Sequence, residues 1–479
     1  MDQRIDEHPS ERDTFEPTFE EMRQAGYALI DKMVGHYESL SDQMVAQKND
    51  QHYFAKLFDE PVPCNASEVG DCTDFFFSKI VPLMTHVDHP RFHAYIPCPS
   101  SFAGGLGMML AAATNPFVGS WLGGASLASL ELTVLRWIRE MLWLPSEFEG
   151  VFTSGGSIAN LIGLASAREK YGFDTLNRGR IYVSDQVHGS VEKAAKALGF
   201  LESAVVRIDT NRRGEIEVHS LTQQIRSDRN NGFTPFFATG NAGTTNSGAI
   251  DPLDQLAELC QEENIWFHVD GAYGGFAAML PEIRRKLNGL ERADSITLDP
   301  HKWLYCPMGI GCALVRSRHW MEAAFSTHGE YLKDLDFDEV NFFNRGPELS
   351  RPARALPVWM VLRTYGRDAI AGQIQSDIDL AHFAADQLRQ DPRFEVDEVQ
   401  LSIVAFRHRL LPGETEELRT ERDNQLMEST LKSGQLMLSS TILNGKNTLR
   451  LVVMNHRTTR AEVLLSVEWI RKLANSTTD

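Results

Sequence analysis

Between residues 150 and 316, short apolar and β-branched runs alternate with helical segments, and this alternation leaves the chain few architectures. The runs are GVFTS (150–154), RIYVS (180–184), PFFATG (235–240), IWFHVD (265–270), SITLD (295–299) and GCALVR (311–316). Short strands separated by helices predict a mostly parallel, doubly wound α/β sheet with helices on both faces. GCALVR follows its predecessor closely and predicts an antiparallel neighbour. Parallel strands end on one edge of such a sheet, and ligands bind at that edge. IWFHVD brings Asp270 to it, and SITLDPHKW brings Lys302, with the short amphipathic segment PEIRRKLNGLERAD between them. Two residues alone fit a buried Asp–Lys ion pair, or a solvated lysine at a strand end, better than a site.

At 479 residues the chain exceeds one hydrophobic core, so two or three domains are expected. Residues 1–85 read as a helical segment with too little apolar material for a core of its own, packing on the rest of the molecule or on a second subunit. A large α/β domain is expected over 86–370 and a smaller α+β domain over 371–479, closing with the strand LRLVVMN and the helix RAEVLLSVEWIRKLAN. The segment 327–352 lacks periodicity, as functional loops or lids of that length do. A formal charge of −18 argues against general affinity for nucleic acid or anionic membrane. The six cysteines form no CxxC pair and are too sparse for a disulfide scaffold, so a reducing, cytoplasmic setting is expected. The N-terminus lacks the apolar core of a signal peptide, and no run reaches the ~20 apolar residues of a membrane span.

Four motifs carry chemistry. TSGGSIAN (153–160) is a strand, a small-residue turn and a helix start, a form that cradles phosphate through Gly156 and Ser157. Such turns are common in α/β proteins. In VSDQVHGSVEKAAKALG, His188 follows a strand and either caps a helix or stacks on a flat heterocycle. TGNAGTTNSGAIDP places Thr244 and Thr245 near the same mouth, with Asp251 behind them, unless it is only a turn. DPHKW sets His301 beside Lys302 as a phosphate or carboxylate contact. Taken together, these groups fill distinct roles around one flat, anionic, aldehyde-bearing cofactor, pyridoxal 5'-phosphate (PLP). A lysine forms its Schiff base, and an acid keeps its pyridine nitrogen protonated.

HPRFHAYIP, TSGGSIAN, the histidine of QVHGSVEKA, GTT…D, HVDGAYGG and DPHKW resemble, in order and spacing, the group II PLP-dependent amino-acid decarboxylases. The aromatic-L-amino-acid decarboxylases are the nearest branch, and the resemblance spans roughly residues 20–475. It implies an aspartate-aminotransferase-like α/β fold: a mostly parallel seven-stranded sheet, an N-terminal helical segment and a small C-terminal α+β domain. It also implies a homodimer with active sites at the interface and a small-molecule amino acid as substrate. By motif, Lys302 holds PLP, Asp270 pairs with the pyridine nitrogen and His188 stacks on the ring, these three being the catalytic set. Thr245 and Ala272 line the ring, while Gly156, Ser157 and His301 contact the phosphate. The family often has Asn where this chain has Asp299, and a carboxylate there stands awkwardly beside a phosphate. Tyr95, Ile96 and Pro97 are the implied pocket walls, suited to an aromatic or bulky side chain.

One position departs from the family. Aligning back from SRPARALPVW without gaps puts Phe342, on the substrate side, where the aromatic decarboxylases carry a proton-donating tyrosine. Phenylalanine has no proton to give. In related plant enzymes that replacement accompanies oxidative deamination to an aldehyde, so aldehyde synthesis using O₂ stands as the alternative. Tyr331, His328 or a water are the other candidate donors. An aminotransferase would need an arginine clamp for the substrate carboxylate, and Arg351 and Arg354 lie near a suitable place. A non-enzymatic sensor would carry a DNA-binding module, and the acidic N-terminal segment has no helix-turn-helix pattern.

Overall fold

The computed structural model describes residues 16–48, 50–327 and 339–475. Seven strands form the large sheet: β1 (Glu149–Thr153), β2 (Gly179–Ser184), β3 (Val205–Ile208), β4 (Thr234–Asn241), β5 (Trp266–Asp270), β6 (Ser295–Leu298) and β7 (Gly311–Val315). Their order is β1-β7-β6-β5-β4-β2-β3. Only β7 runs antiparallel, pairing with β1 and β6, as the short connection after Lys302 requires. β5, β6 and β7 are buried along their whole length. That is why they read as continuous apolar runs: helices cover both faces of a parallel sheet.

The helix Gly156–Tyr171 packs on β5, β6 and β7, with Ala159, Ile162 and Gly163 among its buried residues. A Cβ at Gly163 would lie 2.8 Å from His268 Nδ1 and 3.0 Å from Ser295 Oγ. The missing side chain lets the helix approach two polar groups on the strands.

The small domain has a four-stranded antiparallel sheet of β8 (Phe394–Val396), β9 (Ile403–His408), β10 (Ser439–Leu443) and β11 (Lys446–Val452), in the order β10-β11-β9-β8. It has its own core, built on Phe406, Leu449, Leu451, Val467 and Ile470. The two cores share one helix, Arg367–Arg389. Its Ile370, Ile374 and Ile378 pack in the large core, and its Ala384 and Leu388 in the small one. A boundary between residues 370 and 371 therefore passes through a continuous helix. The segment HPRFHAYIP is also tied to the small domain: Arg91 bonds to Gln435 O and Glu462, and His93 to Val452 O and Ser466 Oγ.

The helix Phe19–Ser39 starts at a capping box formed by Thr18 and Glu21 and buries none of its residues. Phe19, Tyr27 and Val34 remain exposed on it. No helix among the described residues is long and apolar enough to cross a membrane.

Candidate active site

A cavity of about 320 Å³ opens where β4, β5 and β6 end. Gly156, Ser157, His188, Thr245, Asp270, Ala272, His301 and Lys302 all line it. Five elements far apart in sequence deliver these groups, and the parallel sheet brings their ends together.

Asp270 terminates β5 and is 7% exposed. Its Oδ1 accepts from Ala272 N at 3.1 Å, and its Oδ2 accepts from Asn160 Nδ2 at 3.0 Å. It forms no ion pair with lysine or arginine among the described residues. A buried carboxylate without a cation is expensive, so the site calls for a positive group facing Asp270. A protonated pyridine nitrogen is such a group.

Lys302 Nζ lies 3.2 Å from Asp299 Oδ2. The other oxygen, Asp299 Oδ1, is buried without a hydrogen-bond partner. His301 donates from Nδ1 to Ile310 O at 2.8 Å, since a carbonyl only accepts. Burial lowers the His301 pKa, favouring a neutral ring with a lone pair on Nε2, 3.5 Å from Asp299 Oδ2. Across the cavity, the helix Gly156–Tyr171 has no side-chain cap at its N-terminus. A Cβ on Gly156 would sit 3.0 Å from Asp299 Oδ2. An uncapped helix end leaves its first amides for a phosphate, and glycine at its first position lets the Asp299 carboxylate approach. The residues present fit PLP: an amine, a buried carboxylate without a cation, and an anion cradle within one cavity. Asp299 takes its place on the lysine, so the awkward carboxylate acts as the amine's partner.

His188 sits exposed at the mouth. Its Nδ1 is held by Ser190 Oγ at 2.8 Å and by Ser190 N at 3.3 Å. Thr245 lines the cavity, and its carbonyl accepts from Arg450 at 2.6 Å. Thr244 does not line it. Its hydroxyl closes the local turn against Ser247 and Ala249 N, the backbone role weighed from the sequence. Asp251 accepts from the amide and side chain of Asn241, at 2.7 Å each, and so orients a cavity residue from behind. Burial pushes its pKa up to about 6.

Several expected substrate-side residues stand elsewhere in this chain. Tyr95 is 59% exposed with a left-handed φ of 56°, Ile96 belongs to the main core, and Pro97 is half-buried. None of the three lines the cavity. Phe342 is likewise corrected from pocket residue to core residue. It is 1% exposed, with the Arg345 and Arg351 guanidiniums 5.3 Å and 4.9 Å from its ring centre, an arrangement that holds an aromatic face between cations. His328 and Tyr331 lie outside the described residues. The two arginines considered as a substrate clamp are already engaged. Arg351 grips buried Glu131 at 2.7 and 2.9 Å, and Arg354 grips Glu348 at 2.6 and 2.9 Å.

Asn160, Ser190 and Asn241 also line the cavity and escaped the sequence reading. Asn160 ends the TSGGSIAN motif. Its signal was a polar residue within a helix face of small and apolar residues, since a buried amide must find partners.

A family model described as the pyridoxal-dependent decarboxylase conserved domain matches residues 52–409. An aromatic-L-amino-acid decarboxylase of Bacillus atrophaeus is 38% identical over 461 residues, covering 95% of this chain and 96% of that protein. A phenylacetaldehyde synthase of Arabidopsis thaliana is 33% identical over 451 residues, covering 91% and 92%. Among solved structures, Oryza sativa TDC with PLP and tryptamine matches with a TM-score of 0.93 at 29% identity, covering 97% of this chain and all of that one.

Proposed function

Because the chain belongs to the pyridoxal-dependent decarboxylase family, we propose that it removes the α-carboxylate of an aromatic L-amino acid, releasing CO₂ and the amine. The enzyme is a PLP-dependent carboxy-lyase. The observation that carries the reading is Asp270, a buried carboxylate without a cation, facing the same cavity as Lys302.

Bound there, PLP supplies a protonated ring that takes up the electron pair left when the carboxylate departs. Lys302 is the amine assigned to hold its aldehyde, with Asp299 as the acceptor that orients Nζ. Asp270 keeps the pyridine proton in place, and the amides of Asn160 and Ala272 hold its carboxylate in one orientation. His188 stands at the open mouth with Nδ1 tied back to Ser190, which leaves Nε2 for the ring face or the substrate. The helix start at Gly156 and Ser157 receives the phosphate, and His301 can donate to it from Nε2 only when protonated. The named relatives that act on aromatic amino acids support the substrate class.

Replacing Lys302 by Ala should abolish the long-wavelength absorption of the lysine-bound cofactor and CO₂ release with it. An unchanged spectrum would sink the assignment.

A second reading is aldehyde synthesis, which consumes O₂ and water and releases aldehyde, CO₂, ammonia and peroxide. The Arabidopsis thaliana relative, a phenylacetaldehyde synthase, favours it. Product analysis in air separates the two: amine stoichiometric with CO₂ and free of peroxide removes the aldehyde route.

The helix Phe19–Ser39, with no buried residue and exposed Phe19, Tyr27 and Val34, supports a homodimer in which the N-terminal segment covers the partner and the active sites lie at the interface. All six cysteines are free, which fits a reducing cytoplasm.

A further inference from the structure

Behind the cavity a continuous hydrogen-bond chain runs from Trp266 to both PLP-facing side chains, and Asn160 is its branch point. Trp266 Nε1 lies 2.7 Å from Ser295 Oγ, and Ser295 Oγ lies 2.8 Å from His268 Nδ1. His268 Nε2 lies 2.8 Å from Asn160 Oδ1. Asn160 Nδ2 reaches Asp270 Oδ2 at 3.0 Å and Ser190 Oγ at 2.8 Å, and Ser190 Oγ reaches His188 Nδ1 at 2.8 Å.

One acceptor, the Asp270 carboxylate, sets the direction of the whole chain. A carboxylate only accepts, so Asn160 must turn Nδ2 to Asp270, and its Oδ1 then faces His268 Nε2, which must donate. Burial lowers the His268 pKa, so the ring is neutral: its single proton sits on Nε2, and Nδ1 accepts from Ser295 Oγ, which itself accepts from the Trp266 indole. That proton goes to the Asn160 carbonyl oxygen. Both amide hydrogens then point the other way, one to Asp270 and one to Ser190. Ser190, having accepted, donates to His188 Nδ1, where its backbone N–H also points at 3.3 Å. Every hydrogen in the chain is assigned, and none is left over.

We infer that Asn160 is a positioning residue that fixes the Asp270 carboxylate and the proton-bearing nitrogen of His188 through one oriented network anchored on Trp266. The inference rests on the PLP roles proposed above. It adds a reason for them to act together. The Asn160 amide holds the Asp270 carboxylate directly and the His188 imidazole through Ser190, so one side chain supports both. Asn160 is 2% exposed, and its Nδ2 bonds to both Asp270 and Ser190. Neutral His188 carries its proton on Nε2, the nitrogen not tied back to Ser190.

The direction of the chain can be read without cofactor or turnover. In cofactor-free protein labelled with ¹⁵N-histidine, at mildly alkaline pH, His268 and His188 should both show the neutral ring protonated on Nε2. A proton on Nδ1 of His268 would overturn the direction. In the PLP-loaded enzyme, Asn160→Leu should lower kcat by roughly tenfold or more, the scale of a lost hydrogen bond to a charged group, with KM little changed. The circular dichroism of the cofactor band should change with it. Ser190→Ala cuts only the histidine branch, so it should change the pH profile of kcat while leaving that dichroism as in the parent, and it serves where Asn160→Leu does not fold. Parent-like kcat and dichroism in Asn160→Leu, or a parent-like pH profile in Ser190→Ala, overturns the inference. Lys302→Ala separates the two levels: if it fails to alter the cofactor spectrum, the PLP assignment falls, whereas if it behaves as expected and the Asn160 and Ser190 variants match the parent, only the network falls.

Discussion

Arg351 shows how much a single side chain's surroundings decide. Its guanidinium is 4% exposed and binds both oxygens of Glu131, which is fully buried, as well as the carbonyls of Val118 and Phe152. Glu131 also accepts from Phe152 N at 3.1 Å, so the pair locks the helix Trp121–Met141 to β1. Breaking a buried pair by neutralising one partner leaves a bare charge. Glu131→Gln should therefore destabilise the fold by about 3–5 kcal/mol, measured by guanidinium unfolding with the slope unchanged. The same guanidinium flanks Phe342, which explains why an aromatic side chain is held there without reaching the cavity. Sequence spacing alone places Arg351 near a site; its bond to Glu131 shows that the charge is already spent on structure.

At the scale of elements, the helix Arg367–Arg389 links the two cores, and its Asp377 points back at the residues following Lys302. Asp377 accepts from Trp303 Nε1 at 3.0 Å and Tyr305 Oη at 2.8 Å, and from Gln373 at 3.1 Å. Burial outweighs these bonds and pushes its pKa from 3.8 up to about 7. Between those values the folded state holds a proton that the unfolded state has released. The stabilising contribution of Asp377 is therefore complete below 3.8 and is lost as the pH rises towards 7. Asp377→Asn keeps the shape and an acceptor but cannot ionise. The melting-temperature difference, variant minus parent, should grow from pH 4 to pH 7 and then level off. A difference that is flat with pH would mean that the carboxylate titrates normally.

For the whole molecule, one open surface is the N-terminal helix Phe19–Ser39, which has no buried residue. A chain that leaves Phe19 and Tyr27 exposed, 78% and 71%, is expected to cover them with a second copy. Sedimentation should give twice the 53.8 kDa chain mass, and a monomer at micromolar concentration would remove the shared-interface proposal. Six of the seven strands, their direction and their edge followed from the sequence because apolar periodicity and connection length are local properties of the chain, whereas the short β3 was not among the runs read. The gathering of Gly156, His188, Asp270 and Lys302 at one cavity was legible for the same reason: each sits near the end of a strand or the start of a helix, where position along the chain fixes position on the sheet. Asn160, Ser190 and the fate of Arg351 and Phe342 were not legible, since their roles come from partners more than a hundred residues away or on another element. The sequence by itself determined which edge of which sheet gathers Asp270, Lys302 and His188. Only the tertiary structure decided which of the polar side chains behind that edge are joined, because hydrogen bonds are chosen by distances that no local pattern encodes.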